Sequence, residues 1–387
     1  HAHARVASLR TDTARRAPGV IRVATAADLG PLGPLPFMAM LPGLKHVRCP
    51  YLAGPVVDCT GVPVAVVVAE SAVLARDAAE LIEVEYEPLP PIADPERGLE
   101  PGAPLSHPEL GTNQAFSWPM KGGDVEGAFG RAARVVKVHL DHGRLAGVPM
   151  EPRGVLARYD AGPEELTLWL TTQNPFLSRA DLAAVLGFPE HKLRVIAPDV
   201  GGGFGVKGPL YREEIVAAAL ARQIDRPLRW MSTRTEDLLT TIQARAAVSE
   251  AEGALTADGE LIGVRGKTIF DLGAHLLGLS IVPPMSHATH IFGPYRIQNA
   301  ELLSLGVYTN TAPTGPYRGS GRPVGVYLME RLMDEAARAA GLDPVEIRRR
   351  NFIPPDAFPH RTPFGVAYDS GNYARAMDRV VELADYP

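Results

Sequence analysis

Apolar and polar residues alternate along the first part of the chain in a way that predicts a small mixed unit. Residues 62–69 form an unbroken apolar run with the length of a buried strand. Ser71 is a good N-cap for a helix over about residues 72–81, because its hydroxyl can accept a hydrogen bond from the first turn. A second strand through Val84 and Tyr86 ends at a proline-rich stretch. The strand–helix–strand order indicates an α/β or α+β unit over residues 1–95.

A larger second unit is predicted over residues 121–387. Residues 135–140 and 166–171 have the composition of strands, and Asp258-Gly259 is a hairpin turn between two strand-like runs. Strands and helices follow one another without a regular βαβ repeat, so the predicted fold class is α+β. Between the two units, residues 96–120 are rich in proline, glycine and polar residues, which predicts a linker or an extended surface arm.

The clearest helix pattern lies in the second unit. Apolar residues recur there every four positions, as one buried helix face requires. They are Val324, Leu328, Leu332 and Ala336. Gly341 is expected to end this helix, since glycine adopts the left-handed conformation of a C-cap. Asp343-Pro344 has the residue types of an N-cap and a first helical position, so a second helix is predicted to follow at once.

Composition and charge remove several classes of function. The net charge of −5 gives no electrostatic reason to expect nucleic acid or an anionic membrane as a partner. No apolar run reaches the roughly 18 residues of a membrane-spanning helix. Cys49 and Cys59 form neither a zinc pattern nor a disulfide framework. Together these features predict a cytoplasmic protein with no nucleic-acid partner and no membrane partner.

The most informative short segment is the glycine cluster at residues 201–205, Gly-Gly-Gly-Phe-Gly. It stands between a strand-like run at residues 193–197 and a helix-like run at residues 211–220. Glycine lets backbone amides approach a polar ligand, so the segment is either a cofactor loop or a tight strand-to-helix turn. It matches neither the dinucleotide fingerprint, which needs glycine in place of Val206, nor the P-loop, in which Ser or Thr follows Gly-Lys.

Seven segments of the chain together carry a family resemblance. They are residues 1–5 (HAHAR), 77–90 (DAAELIEVEYEPLP), 149–154 (PMEPRG), 171–175 (TTQNP), 200–205 (VGGGFG) with Lys207, 316–323 (PYRGSGRP) and 346–351 (EIRRRN). In this order and spacing they resemble the molybdenum-binding large subunit of the xanthine dehydrogenase, aldehyde oxidase and carbon monoxide dehydrogenase family. Each segment alone is weak, but their joint occurrence is highly specific and covers nearly the whole chain.

The resemblance implies a fold and an extent. An α/β-hammerhead-like domain is expected over residues 1–95, and the first molybdopterin-binding domain over residues 121–387. Beside a full large subunit the chain looks incomplete, because the second molybdopterin-binding domain would follow Pro387. That domain carries the glutamate that acts as the family's general base, and no residue here matches it. The chain alone is therefore not expected to turn over.

The resemblance assigns a catalytic role to Gln173. This residue matches the glutamine that hydrogen-bonds the apical oxo ligand of molybdenum, which an amide NH₂ suits without adding charge. Without the resemblance, a glutamine at a strand end that bonds to backbone is the simpler interpretation.

The resemblance also implies two cofactor-binding loops. The first contains Gly202, Gly203, Phe204 and Gly205, whose backbone would lie against the metal's ligands and the pterin. Phe204 would exclude water from the metal centre, with a plain core residue as the alternative. The second loop contains Arg318, Gly319 and Ser320, and the arginine would help to hold the pterin and its phosphates.

Several charged residues near these motifs receive weaker interpretations. Arg322 is expected to pair with Glu330, to contact a phosphate or to lie on the solvated surface. Glu151 is interpreted as structural, in a buried pair with Arg153. Three histidines have no metal-ligand spacing among themselves and are expected to be non-catalytic. They are His139, His142 and His275.

The cofactor that the resemblance implies is a molybdopterin, as a cytosine dinucleotide in bacterial members, that holds the molybdenum through a dithiolene. No protein side chain ligates the metal, so the site residues include no metal ligand. FAD and 2Fe-2S clusters are expected on a FAD-binding medium subunit and an iron–sulfur small subunit, because this chain lacks cysteine patterns for clusters. The implied assembly includes the C-terminal half of the large subunit and is a dimer of heterotrimers.

Departures from the family pattern narrow the substrate. Gly319 stands where carbon monoxide dehydrogenase has the cysteine that bridges to copper, so a copper-dependent activity is not expected. Gly208 and Ser320 stand where purine-oxidising members have a glutamate and an aromatic residue, which argues against xanthine. The loop is most similar to bacterial members that oxidise a small-molecule aldehyde or aromatic N-heterocycle, with water as the oxygen source.

Two other functional interpretations remain open from the sequence. One is a non-catalytic split or truncated half that binds cofactor only together with a second polypeptide. The other is a phosphate-binding enzyme built on the glycine cluster, which leaves six of the seven family segments unexplained.

Overall fold

The structure is a computed structural model that describes residues 1–38 and 41–386. Its helices are α1 (Asp12–Arg15), α2 (Ala72–Ala79), α3 (Val125–Gly130), α4 (Pro175–Leu186), α5 (Arg212–Ile224), α6 (Arg234–Thr240), α7 (Val282–His290), α8 (Arg322–Ala340), α9 (Pro344–Asn351) and α10 (Tyr373–Leu383). Within these described residues, none of the helices has the length and apolar character needed to cross a membrane.

Strands and helices are mixed along the chain, which confirms the α+β prediction. The strands are β1 (Ala4–Arg10), β2 (Val20–Ala24), β3 (Val56–Val57), β4 (Val66–Ala69), β5 (Glu83–Pro88), β6 (Gln114–Gly122), β7 (Arg134–His142), β8 (Leu145–Ala146), β9 (Gly154–Asp160), β10 (Glu165–Leu170), β11 (Leu193–Ile196), β12 (Leu228–Met231), β13 (Gln243–Ala244), β14 (Ala247–Leu255), β15 (Leu261–Gly273), β16 (Ala300–Tyr308), β17 (His360–Arg361) and β18 (Ala367–Tyr368).

The N-terminal unit contains two small antiparallel sheets, with β1 between β3 and β5 in one and β2 paired with β4 in the other. Helix α2 begins as predicted, with the Ser71 hydroxyl accepting from the Leu74 N–H over 3.3 Å. The strand predicted over residues 62–69 is shorter, because β4 covers only Val66–Ala69 and its residues are half-buried rather than buried. Pro63 has no N–H for a strand ladder, and its carbonyl accepts from the Ala53 amide at 2.7 Å instead.

The segment at residues 96–120 is only partly a connecting arm, and the prediction was wrong for its last residues. Strand β6 begins at Gln114 and pairs antiparallel with β16 as part of a sheet. Before it, Asn113 is buried, accepts from the Ser106 N–H at 2.9 Å and donates to the Gly98 carbonyl at 3.0 Å. Side-chain hydrogen bonds therefore satisfy backbone that the composition assigns to a solvated loop. The boundaries of the two units stay a prediction.

Two sheets organise the second unit. The five-stranded sheet has the order β6–β16–β15–β14–β7, and α8 packs across β7 and β14. The four-stranded sheet has the order β11–β10–β9–β12 and packs against α5, with Leu166, Leu168 and Ile215 fully buried between them. Cys49 and Tyr51 from the N-terminal unit pack into this core between the four-stranded sheet and α5, so the two units share one apolar interior.

The predicted hairpin and the predicted helix pair are both confirmed. Strands β14 and β15 are antiparallel neighbours around Asp258-Gly259, where Gly259 has φ +89°. The apolar stripe of α8 is almost completely buried against the five-stranded sheet, and Gly341 ends the helix at φ +68°. The Asp343 side chain then accepts from the Val345 and Glu346 amides and caps α9.

Candidate active site

Two glycine-containing loops meet at one place in the second unit. The first loop, residues 201–208, connects β11 to α5, and the second, residues 316–321, precedes α8. The Arg318 N–H donates to the Phe204 carbonyl oxygen over 2.8 Å. A Cβ atom on Gly205 would lie 2.9 Å from the Pro316 carbonyl oxygen. The loops therefore touch through their backbones, which a side chain at position 205 would prevent.

Left-handed backbone is concentrated in these two loops. Gly202, Phe204 and Gly205 have φ values of +95°, +53° and +100°, and Gly319 and Ser320 have +87° and +54°. Phe204 and Ser320 pay a conformational cost that glycine avoids, and strain of this kind is typical of functional loops.

Phe204 is 39% exposed, so the alternative that it is a core residue is wrong. Its ring centroid lies 5.2 Å from the guanidinium carbon of Arg318, within the range of a cation–π contact. The exposed ring and the exposed arginine therefore cover the junction of the two loops from the solvent side.

Gln173 lies between β10 and α4 and reaches into the first loop. Its side-chain oxygen accepts from the Gly205 N–H at 2.8 Å and from the Lys207 N–H at 3.3 Å. Because both partners are donors, the carbonyl end of the amide must face them and the NH₂ group must point away. The NH₂ group makes no hydrogen bond to any residue that the structure describes. Gln173 does bond to backbone, as the simpler interpretation expects, but only with its oxygen.

Glu151 is structural, but its predicted pairing with Arg153 is wrong. One Glu151 carboxylate oxygen accepts from the Gly201 N–H and from the Lys207 ammonium, both at 2.8 Å. The Lys207 side chain is 1% exposed, so this pair joins the two ends of the first loop beneath its surface. Pro152 separates Glu151 from Arg153, and the chain directs the two side chains to different partners.

Arg153 is fully buried in a network behind the site. Its guanidinium lies 3.0 Å from Glu213 on α5 and 3.6 Å from Asp237 on α6, and it stacks 3.9 Å above the Tyr211 ring. Burial alone would raise the pKa of Glu213, but the Arg153 guanidinium holds that pKa below its usual value. The network ties β9 to α5 and α6, and so fixes the frame from which the first loop extends.

Arg245, which the sequence interpretation missed, holds the second loop from below. Its guanidinium donates to the carbonyl oxygens of Ser320 at 2.7 Å, Arg318 at 3.0 Å and Tyr317 at 3.3 Å. No glycine, motif or periodic pattern marks position 245, and its partners lie more than 70 residues away. The Ser320 hydroxyl is buried beside these contacts and has no partner among the described residues.

Arg322 does not pair with Glu330. It is exposed at the start of α8 and forms no ion pair within the part of the chain that the structure describes, as the solvated-surface interpretation expects. Glu330 instead accepts from the Tyr295 hydroxyl at 2.7 Å and from Arg348 at 2.8 Å. Arg348 reaches Glu330 on α8 from α9.

The three histidines have different surroundings. Burial lowers the pKa of His142 and of His275 to about 4, so both are neutral at physiological pH. His275 contacts Asp58 at 3.0 Å, and His142 contacts the Ser249 hydroxyl at 3.1 Å. His139 is exposed on β7, 3.3 Å from Glu250. Their non-catalytic role stays a prediction.

Comparison with known proteins gives two family matches that together span most of the chain. Residues 106–352 match the molybdopterin cofactor-binding domain, and residues 1–90 match the a/b hammerhead domain of aldehyde oxidase and xanthine dehydrogenase.

Individual relatives agree with these matches. The nicotine 6-hydroxylase large subunit of Paenarthrobacter nicotinovorans is 35% identical over all of this chain and 47% of its own length. The carbon monoxide dehydrogenase large chain of Afipia carboxidovorans is 37% identical over all of this chain and 49% of its own length. The chain therefore spans about half the length of the curated relatives it matches.

A solved structure supports the same assignment. Quinoline 2-oxidoreductase from Pseudomonas putida 86 superimposes with a TM-score of 0.95 at 35% identity, over 99% of this chain and 49% of the other. The two touching loops, the fold and the relatives agree: this chain belongs to the molybdenum-binding large subunits of the xanthine dehydrogenase, aldehyde oxidase and carbon monoxide dehydrogenase family, and it carries the hammerhead domain and a molybdopterin-binding domain.

Proposed function

We propose that Gln173 and the two touching loops hold the molybdenum of a pterin cofactor, and that the whole protein is the catalytic large subunit of a molybdenum hydroxylase. The orientation of the Gln173 amide carries this proposal. Two backbone N–H groups occupy its oxygen and leave the NH₂ group free to donate. An oxo ligand of the metal is an acceptor that this group suits without adding charge.

The residues of the site fit such a cofactor. The lack of a Cβ lets the first loop pack closely, because a methyl group on Gly203 would lie 2.5 Å from the Gln173 side chain and one on Gly205 would lie 2.9 Å from the Pro316 carbonyl oxygen. The Ser320 hydroxyl is a buried polar atom without a partner among the described residues. A pterin brings its own sulfur ligands to the metal, so the site needs no cluster of cysteine and histidine.

Each residue has a distinct role in this proposal. Gln173 would donate to an oxo ligand of the metal, and Phe204 would exclude water from the site. The Arg318 guanidinium would hold the pterin and its phosphates, together with the main chain of Gly319 and Ser320. When bound, the cofactor supplies a two-electron oxidation that takes its oxygen from water. The protein's share is to bind, to orient and to exclude solvent.

The proposed substrate class is a small aldehyde or an aromatic N-heterocycle. The names of two relatives, nicotine 6-hydroxylase and quinoline 2-oxidoreductase, support the heterocycle. Gly319 at the position of the copper-bridging cysteine argues against carbon monoxide, although carbon monoxide dehydrogenases are also among the relatives.

We further propose that the whole enzyme includes an FAD-binding subunit, a 2Fe-2S subunit and the polypeptide that supplies the remaining half of the large subunit. The relatives are named as large subunits or chains, and this chain spans about half their length. The cytosine dinucleotide form of the cofactor, a dimer of heterotrimers and a cytoplasmic location belong to the same proposal. Cys49 and Cys59, as buried free thiols, suit a reducing compartment.

The first test is the metal content of the protein isolated from its native host together with its partners. Near-stoichiometric molybdenum, with iron and flavin in the same assembly, is the expected result. Folded, freshly isolated material without molybdenum would contradict the proposal and favour a non-catalytic half that needs another polypeptide to bind cofactor.

The second test is Gln173→Ala in the assembled enzyme. Removing one hydrogen bond to the oxo ligand should lower kcat about tenfold while most of the molybdenum stays bound, because such a bond contributes about 1–3 kcal/mol. Gln223→Ala is the matched control, since Gln223 is an exposed glutamine that donates to the Asp28 carbonyl at 3.2 Å, on the N-terminal unit. Equal turnover of both variants would remove Gln173 from the site.

A further inference from the structure

Arg245 occupies a backbone position that is costly to form. It has φ +63° and the next residue, Ala246, has φ +50°, so two consecutive non-glycine residues are left-handed. The residue before them, Ala244, belongs to β13 and pairs with Leu145 of β8. The residue after them, Ala247, belongs to β14 and pairs with Phe270 of β15 and His142 of β7. Strands on both sides therefore impose the conformation, and it directs the Arg245 side chain towards the second loop. Strain that is imposed in this way and lies next to a site is characteristic of a functional residue.

The Arg245 guanidinium has unusual partners. It contacts three carbonyl oxygens, of Tyr317, Arg318 and Ser320, at 2.7–3.3 Å. Its guanidinium carbon also lies 5.2 Å from the centroid of the Tyr317 ring. Within the described residues it forms no ion pair with any carboxylate, and burial lowers its pKa from the usual arginine value. The half-buried charge is therefore offset by the carbonyl dipoles and the Tyr317 ring of the loop that it holds.

These contacts reach the first loop through one further step. The Arg318 carbonyl is held by Arg245, and the Arg318 N–H donates to the Phe204 carbonyl oxygen at 2.8 Å. Arg245 also holds the Tyr317 carbonyl, which shares a peptide group with the Arg318 N–H, so both peptide groups that flank Arg318 are held. The relative position of the two loops depends on that orientation.

We propose that Arg245 is a positioning residue, whose guanidinium locks the carbonyls of Tyr317, Arg318 and Ser320 so that the second loop presents Arg318, Gly319 and Ser320 to the cofactor. The identity of what the loop binds rests on the proposed function, whereas the lock is a property of this chain alone. Arginine is required because three carbonyls at different angles need the planar fork of a guanidinium. A lysine ammonium keeps the charge but is a single point donor.

The test compares Arg245→Lys and Arg245→Ala with wild type by hydrogen–deuterium exchange and mass spectrometry, on the protein purified with its partners. Peptides that cover residues 316–322 should exchange at least tenfold faster in both variants, because several hydrogen bonds that close the loop are lost. Peptides from α8, residues 324–337, should exchange at the wild-type rate and so exclude general unfolding. Arg131→Lys, at an exposed arginine 3.9 Å from Asp124, is the matched control. Unchanged exchange at residues 316–322 in Arg245→Lys would overturn the proposal.

Chemical rescue separates a specific lock from simple loss of packing. Ethylguanidinium should slow the exchange of residues 316–322 in Arg245→Ala, whereas ethylammonium at the same concentration should not. If both cations or neither act, the fork has no specific role and the proposal fails. Should Arg245→Ala not fold, Arg245→Lys alone decides, because it keeps the charge and most of the aliphatic stem.

The amount of molybdenum that the protein retains tests whether the contacts of Arg245 serve the cofactor site. After gel filtration, Arg245→Lys is expected to retain several-fold less molybdenum per polypeptide than wild type, and Arg131→Lys as much as wild type. Faster exchange with unchanged molybdenum retention would show a lock that does not serve the cofactor and would overturn the positioning role. Wild-type protein without molybdenum would contradict the proposed function and leave the exchange result to judge the lock.

Discussion

Arg153 and Arg245 show two ways in which this fold uses an arginine away from solvent. Arg153 is 1% exposed and lies between the carboxylates of Glu213 and Asp237, so its charge is compensated within the protein. Arg245 is half-buried, donates to three carbonyl oxygens, lies 5.2 Å from the Tyr317 ring centroid and pairs with no carboxylate among the described residues. The first arrangement holds helices to a sheet, and the second holds a loop that faces the candidate site. The arginine in the framework is thus paired with carboxylates, whereas the arginine beside the candidate site is not.

The comparison also separates two costs. A compensated buried pair is expensive to break, because the remaining partner keeps a charge without solvent or a counterion. Removing a cation that faces carbonyl dipoles costs the protein less stability. The loop that the cation held, however, loses its fixed orientation. We therefore expect substitutions in the Arg153 network to change stability most, and substitutions at the loops to change cofactor retention at a smaller cost in stability.

The largest effect is expected for Arg153→Ala. It leaves Glu213 and Asp237 buried without their shared partner, and should lower the free energy of unfolding by about 3–5 kcal/mol. Arg158→Ala, in the strand β9 that directly follows Arg153 but in an exposed pair with Asp160, should change it by less than about 1 kcal/mol. Urea unfolding measures both. Similar values for the two variants would show that the buried network contributes nothing special.

The pH dependence of the free energy of unfolding gives a second test of the Arg153 network. In wild type the folded-state pKa of Glu213 is depressed, so its stabilisation is present above the unfolded pKa and is lost as pH falls through the folded pKa. Without Arg153, burial alone raises that pKa, and the variant recovers relative stability when the carboxyl becomes protonated. The difference between wild type and Arg153→Ala should therefore shrink between pH 7 and pH 4. A difference that is constant over this range would contradict the assignment of Glu213 as the coupled partner.

Gly205→Ala is expected to come next. The added methyl group would lie 2.9 Å from the Pro316 carbonyl oxygen at a residue with φ +100°, so the two loops must move apart. We expect a loss of about 3 kcal/mol in stability, from backbone strain and steric overlap together. A matched loss of molybdenum from the isolated enzyme should accompany it.

Gly102→Ala is the control for Gly205→Ala. Gly102 also has a positive φ, +79°, but an alanine methyl group at this position would have no neighbouring atom within 4 Å among the described residues. It should cost only the conformational strain, about 1 kcal/mol, and leave the molybdenum content unchanged. Thermal unfolding and metal analysis give both readouts, and equal losses at the two positions would show that contact between the loops is not needed.

The smallest effect is expected for Glu151→Gln. The amide keeps a hydrogen-bond acceptor for the Gly201 N–H but removes the charge opposite the buried Lys207 ammonium. We expect a loss of about 2 kcal/mol in the free energy of unfolding. Glu164→Gln, in an exposed pair with Lys192 at 2.9 Å, is the control and should cost less than about 1 kcal/mol. If the two variants are equally stable, the Glu151–Lys207 pair acts as a surface pair.

Much of the fold follows from local patterns. The α8 stripe, the Gly341 stop, the Asp343-Pro344 start and the Asp258-Gly259 hairpin were each readable, because the residues that specify them lie within a turn or two of one another. The strand over residues 62–69 and the arm over residues 96–120 were misjudged at their ends. Strand β6 pairs with β16, which lies far away in the chain, whereas the strand predicted over residues 62–69 is cut short by Pro63, which has no N–H for a strand ladder.

For the candidate site, the sequence predicted which residues take part but not how the charged side chains pair. Glycine spacing and family resemblance pointed to the two loops and to Gln173, and the structure brings these residues together. The pairing of charged side chains was not readable. Glu151 was matched with its neighbour Arg153, since sequence reasoning pairs residues that are close in the chain, whereas the interpretation of Arg322 as a solvated surface residue agrees with the structure.

The amino-acid sequence was sufficient to identify the family, α8 and α9 with their caps, the Asp258-Gly259 hairpin and the two glycine-containing loops. Those features depend on the conformational range of single residues and on short-range spacing. The pairing of charged side chains depends on the tertiary structure. Lys207 reaches back 56 positions to Glu151, Glu213 lies 60 positions from Arg153, and Ser320 lies 75 positions from Arg245. Such contacts are created when sheets and helices pack, so no local pattern encodes them.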